Sequence, residues 1–147
     1  MQPFMRLKRP FLPALLALFL LTGCATGQQD DLYTQLGGEP GISVIVEDFT
    51  LRLADDPEIV TFFANSNIDL FVASLKDQLC DIADGPCRYE GPPMDRAHQH
   101  MGLTDAHFNT VVQHMQAALI RQEVPVGARN QLLGRLARLH RDIMKLQ

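Results

Sequence analysis

From about residue 40 onward, apolar side chains return at steps of three and four, the repeat of a helix rather than of a strand. Ile42, Ile45, Val46, Phe49 and Leu53 make one such stripe, preceded by Gly37-Gly38 and ended by Asp55-Asp56-Pro57. A short helix over about 57–63 is expected next, since Pro57 suits a first turn. Beyond the turn Asn65-Ser66-Asn67, Phe71, Leu75, Leu79 and Ile82 form a second stripe, closed by Asp84-Gly85-Pro86. Residues 87–93 read as loop, because Gly91-Pro92-Pro93 interrupts regular structure, and a brief helix around 94–100 carries His98. Thr104 is placed to cap a longer helix with Phe108, Val111, Val112, Met115 and Leu119 on one side. After a break at 123–127, a last helix with Leu132, Leu133, Leu136, Leu139 or His140, and Ile143 is expected to run to the end. No segment alternates apolar with polar residues, and no repeat is visible. The chain reads as all-α: four substantial helices with short connectors.

The first 23 residues belong to a different class of signal. Arg6, Lys8 and Arg9 precede an apolar run from Phe11 to Leu21, and Leu21-Thr22-Gly23-Cys24 follows. A basic start, a short apolar run and small residues before a cleavage point make a secretion signal. The apolar run is about half of what a bilayer-spanning helix needs. Its ending resembles the bacterial lipobox, which implies cleavage before Cys24 and lipidation of that cysteine. Residues 24–31 then serve as lipidated cysteine and polar tether, and 32–147 as the folded domain. Ala25 to Asp30 reach roughly 20 Å if extended. No acidic residue directly follows Cys24, which points to the periplasmic side of the envelope and to the outer membrane.

Cleavage there removes three basic residues, so ten Lys and Arg face seventeen Asp and Glu, a mature net charge of −7. Such a surface repels phosphate backbones, and nucleic acid is excluded as a partner. Membrane attachment must come from the lipid. The two further cysteines, Cys80 and Cys87, leave two readings open: a bridge, allowed in an oxidising compartment, or one small buried thiol and one exposed loop thiol. A bridge closing so short a loop contributes about 2.5 kcal/mol in the chain-entropy estimate.

Chemistry-bearing residues are few. The five histidines are His98, His100, His107, His114 and His140, and no pair has the helical spacing with a carboxylate that a zinc site uses. His107 and His114 suit capping or solvated roles. No serine nucleophile elbow and no phosphate-cradling glycine loop occur. Cys-x-x-Cys-His is absent, which excludes haem attachment of the c type.

What raises His98 above the rest is its company. Gly37-Gly38, Val46-Glu47-Asp48-Phe49, Phe62-Phe63, Gly85-Pro86 with Tyr89-Glu90-Gly91, and Ala97-His98-Gln99-His100-Met101-Gly102 follow one another in order. This series resembles the truncated haemoglobins of group I, over nearly all of residues 31–147. The resemblance implies a shortened globin, a two-over-two helical sandwich around non-covalent haem b. It implies that His98 is the proximal iron ligand, its second ring nitrogen donating to a backbone carbonyl or similar acceptor. Phe63 matches the phenylalanine that stacks on the haem. Phe71, Leu75, Tyr89, Met101, Phe108, Val111 and Met115 would line the pocket, and Lys76, Arg88, Arg96 or Tyr89 would meet the propionates.

The ligand side departs from the family. The resemblance would place a tyrosine directly after Phe49, where this chain has Thr50, and a glutamine where it has Leu75; Phe71 stands at the gate. Gln78 is the nearby amide that could substitute. A hydrogen bond to the bound gas is worth about 1–3 kcal/mol in a dry pocket, so losing both donors lowers oxygen retention by about one to two decades. The expected function is reversible binding of oxygen, nitric oxide or carbon monoxide, for oxygen transport or nitric oxide scavenging. Nitric oxide dioxygenase-type turnover is left open and needs an external reductase. The alternative is a haem-binding sensor or envelope interaction module without effective gas turnover.

Overall fold

The computed structural model describes residues 30–147. The expected signal peptide, Cys24 and all but the end of the tether lie outside them. Seven helices and one 3-10 turn follow in order: α1 Leu32–Gln35, α2 Gly38–Asp55, the 3-10 turn Ile59–Phe63, α3 Ile68–Ile82, α4 Met94–Ala97, α5 Asp105–Arg121, α6 Val126–Ala137 and α7 His140–Ile143. Among the described residues there is no strand, and no helix is long and apolar enough to cross a membrane.

Central α2 carries the stripe Ile42, Ile45, Val46, Phe49 and Leu53, all buried. It packs on both α3 and α5, and α5 packs in turn on α6. The two long pairs, α2 with α3 and α5 with α6, give the two-over-two arrangement. Leu79, Leu119, Leu132 and Ala118 close the core at 0% exposure. Side chains in such a core sit at crystal-like density, so each fixes its neighbours.

Local chemistry sets the helix ends. Asp31 caps α1 by accepting from the Thr34 N–H at 2.7 Å, and Asn67 caps α3 by accepting from Leu70 at 3.0 Å. The chain enters α2 through Gly37 at φ 86°, a left-handed turn that suits glycine. Gly41 then lies so close to α1 that an added Cβ would stand 2.0 Å from the Leu36 carbonyl oxygen. The Tyr33 N–H donates to the Ala83 carbonyl, tying α1 to the end of α3. There Cys80 and Cys87 form a disulfide with Cα atoms 5.7 Å apart. Of the two readings left open for these cysteines, the bridge is the one found.

Three expectations need correction. The short helix at 57–63 is a 3-10 turn, because the Asp56 carboxylate draws the Glu58 and Ile59 N–H groups together at 3.0 Å each. The helix carrying His98 ends at Ala97, and the next residues are loop. The last helix does not run unbroken to the end. Arg138 and Leu139 donate to residues three back, which tightens the chain between α6 and α7. That turn brings His140 to Asp105 at 2.8 Å and onto the Phe108 ring at 4.6 Å.

Candidate functional site

Pro92-Pro93 stops the preceding loop, and Pro93 stands at the N-terminus of α4 with extended backbone. Five residues later His98 caps the C-terminal end of the helix, whose last residue is Ala97. Its N–H donates to the Met94 carbonyl at 3.2 Å, and its ring Nδ1 lies 2.9 Å from the same oxygen. A carbonyl only accepts, so Nδ1 must carry the proton there and Nε2 keeps its lone pair. His98 is half-buried, and among the described residues no hydrogen bond engages Nε2.

The other histidines are occupied differently. His107 accepts the Thr104 N–H at Nδ1 (3.1 Å), while Thr104 Oγ1 accepts the His107 N–H (3.2 Å), a reciprocal cap on α5. With Nδ1 accepting, Nε2 donates to Glu58 at 2.9 Å. His114 Nε2 meets Asp56 at 2.8 Å. The Ile59 N–H, and then His114, hold the Asp56 carboxyl below the usual carboxylate range. His107 also packs edge-on against Phe62, with centroids 5.0 Å apart. These three contacts dock α5 on the corner that presents Phe62 and Phe63. His100 is exposed.

Phe63 and Phe71 meet edge to face at 5.0 Å. Phe63, Phe71, Leu75 and Val111 each pack on the core with one flank and stay partly open on the other. Tyr89, Met101 and Phe108 are likewise half-buried, whereas Phe49 and Met115 belong to the core at 4% exposure. Half-covered aromatic and aliphatic surfaces, and a histidine with a free ring nitrogen, are the features a flat apolar prosthetic group needs. Thr50 Oγ1 donates to the Val46 carbonyl at 2.7 Å. The Gln78 amide donates to the Met94 sulfur at 3.1 Å, which turns it toward the helix that carries His98.

Beside Met94 a cleft of about 220 Å³ is lined by Gln78, Asp81, Ile82, Tyr89, Pro93 and Leu139. Burial raises the pKa of the Tyr89 phenol, whose OH donates to the Pro92 carbonyl at 3.0 Å. Of the rim residues, Lys76 stands 3.7 Å from Glu47, Arg96 reaches Gln99 at 3.5 Å, and Arg88 is exposed. Sequence reasoning did not single out Met94, because its part is played by a backbone carbonyl, to which residue identity gives no clue.

A family model described as bacterial-like globin matches residues 31–145. The chain belongs to that family. Haem-based gas binding comes with it. Among its relatives is the group 1 truncated hemoglobin GlbN of Mycolicibacterium paratuberculosis, 31% identical over 112 residues, covering 76% of this chain and 82% of that protein. The GlbN of Nostoc commune is 32% identical over 84 residues, 57% of this chain and 71% of its own length. The fold of this globin superposes on the crystal structure of the truncated hemoglobin from Tetrahymena pyriformis in its Fe(III) form with a TM-score of 0.74, at 26% identity, over 78% of this chain and 97% of that one. A 2/2 hemoglobin from Synechococcus, described with covalently attached heme, shares the fold with a TM-score of 0.75 at 24% identity, over 79% and 99% of the two chains.

Proposed function

We propose that this globin holds haem b non-covalently through His98 and reversibly binds a diatomic gas on the side facing Phe71 and Leu75. The observation that carries the reading is the single Met94 carbonyl that holds both the main chain and the ring of His98. A metal-binding histidine needs its second nitrogen anchored in this way, which fixes the tautomer and aims the free lone pair. When bound, haem supplies an iron with one open coordination position. Non-covalent retention is supported by the cysteines, since both of those described are joined to each other and no Cys-x-x-Cys-His occurs.

The surroundings argue for weak oxygen retention. Thr50 spends its proton on Val46, Gln78 is turned to Met94, and Phe71 and Leu75 offer no donor. A gas that depends little on a hydrogen bond, such as nitric oxide or carbon monoxide, suits these residues better than oxygen. Nitric oxide scavenging is accordingly the favoured role over oxygen transport. Turnover of the nitric oxide dioxygenase type would draw electrons from an external reductase. The same lack of a donor favours one alternative, a haem-binding sensor or envelope module without effective gas turnover.

Residues 1–23 act in this reading as a lipoprotein signal, and Cys24 with its tether anchors the domain 32–147 on the periplasmic side of the outer membrane. Fractionating cells that produce the full chain tests both halves together. The reduced-plus-carbon-monoxide haem signature should sit in the membrane fraction, move to the soluble periplasm with Cys24→Ala, and be lost or altered with His98→Ala. A signature that ignores Cys24 refutes the anchor; one that ignores His98 refutes the haem site.

A further inference from the structure

The loop from His98 to Leu103 joins α4 to α5 and includes two left-handed residues, His100 at φ 58° and Gly102 at φ 69°. Much of what holds it comes from the far end of the sequence. Gln147 uses both ends of its amide: Nε2 donates to the His98 carbonyl at 2.9 Å, and Oε1 accepts from the Leu103 N–H at 2.9 Å. The Leu146 carbonyl accepts from the His100 N–H at 2.9 Å. Lys145 pairs with Asp95, in the first turn of α4, at 2.9 Å. Three consecutive residues thus grip α4 and its loop at four points.

We propose that Lys145, Leu146 and Gln147 form a clamp that sets the orientation of His98 toward the haem iron, with Gln147 as the positioning residue. The proposal rests on the reading of His98 as iron ligand. Met94 restrains the N–H and ring of His98, but a helix end alone frays readily. Gln147 restrains the carbonyl on the other side of the same Cα, so the two together fix the residue's backbone and hence the direction of its ring. Groups that orient a metal ligand typically change metal affinity by about 10–100-fold when removed.

The test uses the full chain with haem, comparing wild type, Gln147→Ala, Gln147→Glu and His98→Ala. Glutamate keeps an acceptor for Leu103 but cannot donate to the His98 carbonyl. Haem transfer to excess apomyoglobin and the iron–histidine stretching band of the ferrous protein are read, with circular dichroism as the check on fold. Both Gln147 variants should release haem at least about tenfold faster and shift or broaden the band, at unchanged helicity. Wild-type rate and band in Gln147→Ala would overturn the clamp, as would wild-type behaviour in Gln147→Glu for the His98 carbonyl as its point of action. A band that survives His98→Ala would overturn the ligand reading itself, and the clamp with it.

Discussion

A histidine can bind a metal through either ring nitrogen, so the hydrogen bonds it makes decide which one is available. His107, His114 and His140 all place Nε2 against a carboxylate, on Glu58, Asp56 and Asp105. His98 instead spends Nδ1 on a carbonyl. The same logic applies on the proposed gas side, where the Thr50 hydroxyl is committed to its own helix. Replacing it with a longer phenol tests that claim: Thr50→Tyr should slow oxygen release by about one to two decades, the kinetic equivalent of a new hydrogen bond of 1–3 kcal/mol. Stopped-flow mixing of the ferrous oxygen complex reads it, and an unchanged off-rate would show that no donor can reach from this position. The candidate histidine was legible in the sequence because its neighbours keep the family's order. The fate of Thr50 and Gln78 was not, since a threonine on a helix can bond backward or point outward.

Helix starts were easier to anticipate than helix ends. Thr104 announces α5 by its side chain, and its partner His107 stands three residues on, the spacing of a capping box. The break after Ala137 has no glycine or proline to mark it; it follows from His140 reaching Asp105, 35 residues away. The junction of α1 and α2 was half legible. Gly37-Gly38 was conspicuous, but Gly41 inside the helix is the tighter position, with Leu36 against it. Gly41→Ala should therefore cost about 1–3 kcal/mol by overpacking. Gly127→Ala, where nothing lies within 4 Å of the added carbon, should be neutral or stabilise by about 0.4–1 kcal/mol. Urea unfolding of the two variants separates these outcomes, and equal effects would refute the close packing at Gly41.

Across the whole molecule, long-range polar contacts bind the helices that hydrophobic periodicity only lays out. Asp56 joins the end of α2 to α5 through His114, and it also organises the 3-10 turn bearing Phe62 and Phe63. Its native pKa is lowered, so its contribution is complete above the ordinary carboxylate value near 3.9 and is lost as pH falls through the lower native value. Asp56→Asn should be less stable than wild type at pH 7, and its stability should fall less steeply below about pH 4. Parallel curves of urea midpoint against pH would remove Asp56 from the account. The helical layout could be read from apolar spacing, whereas these pairings, 35 to 58 residues apart, leave no local trace.

The most direct measurement is the ferrous spectrum, with and without carbon monoxide, of full-length His98→Gly before and after adding imidazole. Loss of the histidine-ligated signature on substitution, and its return with the free base, is the predicted result. A spectrum indifferent to the substitution, or one that imidazole does not restore, would contradict His98 as the residue that holds the iron.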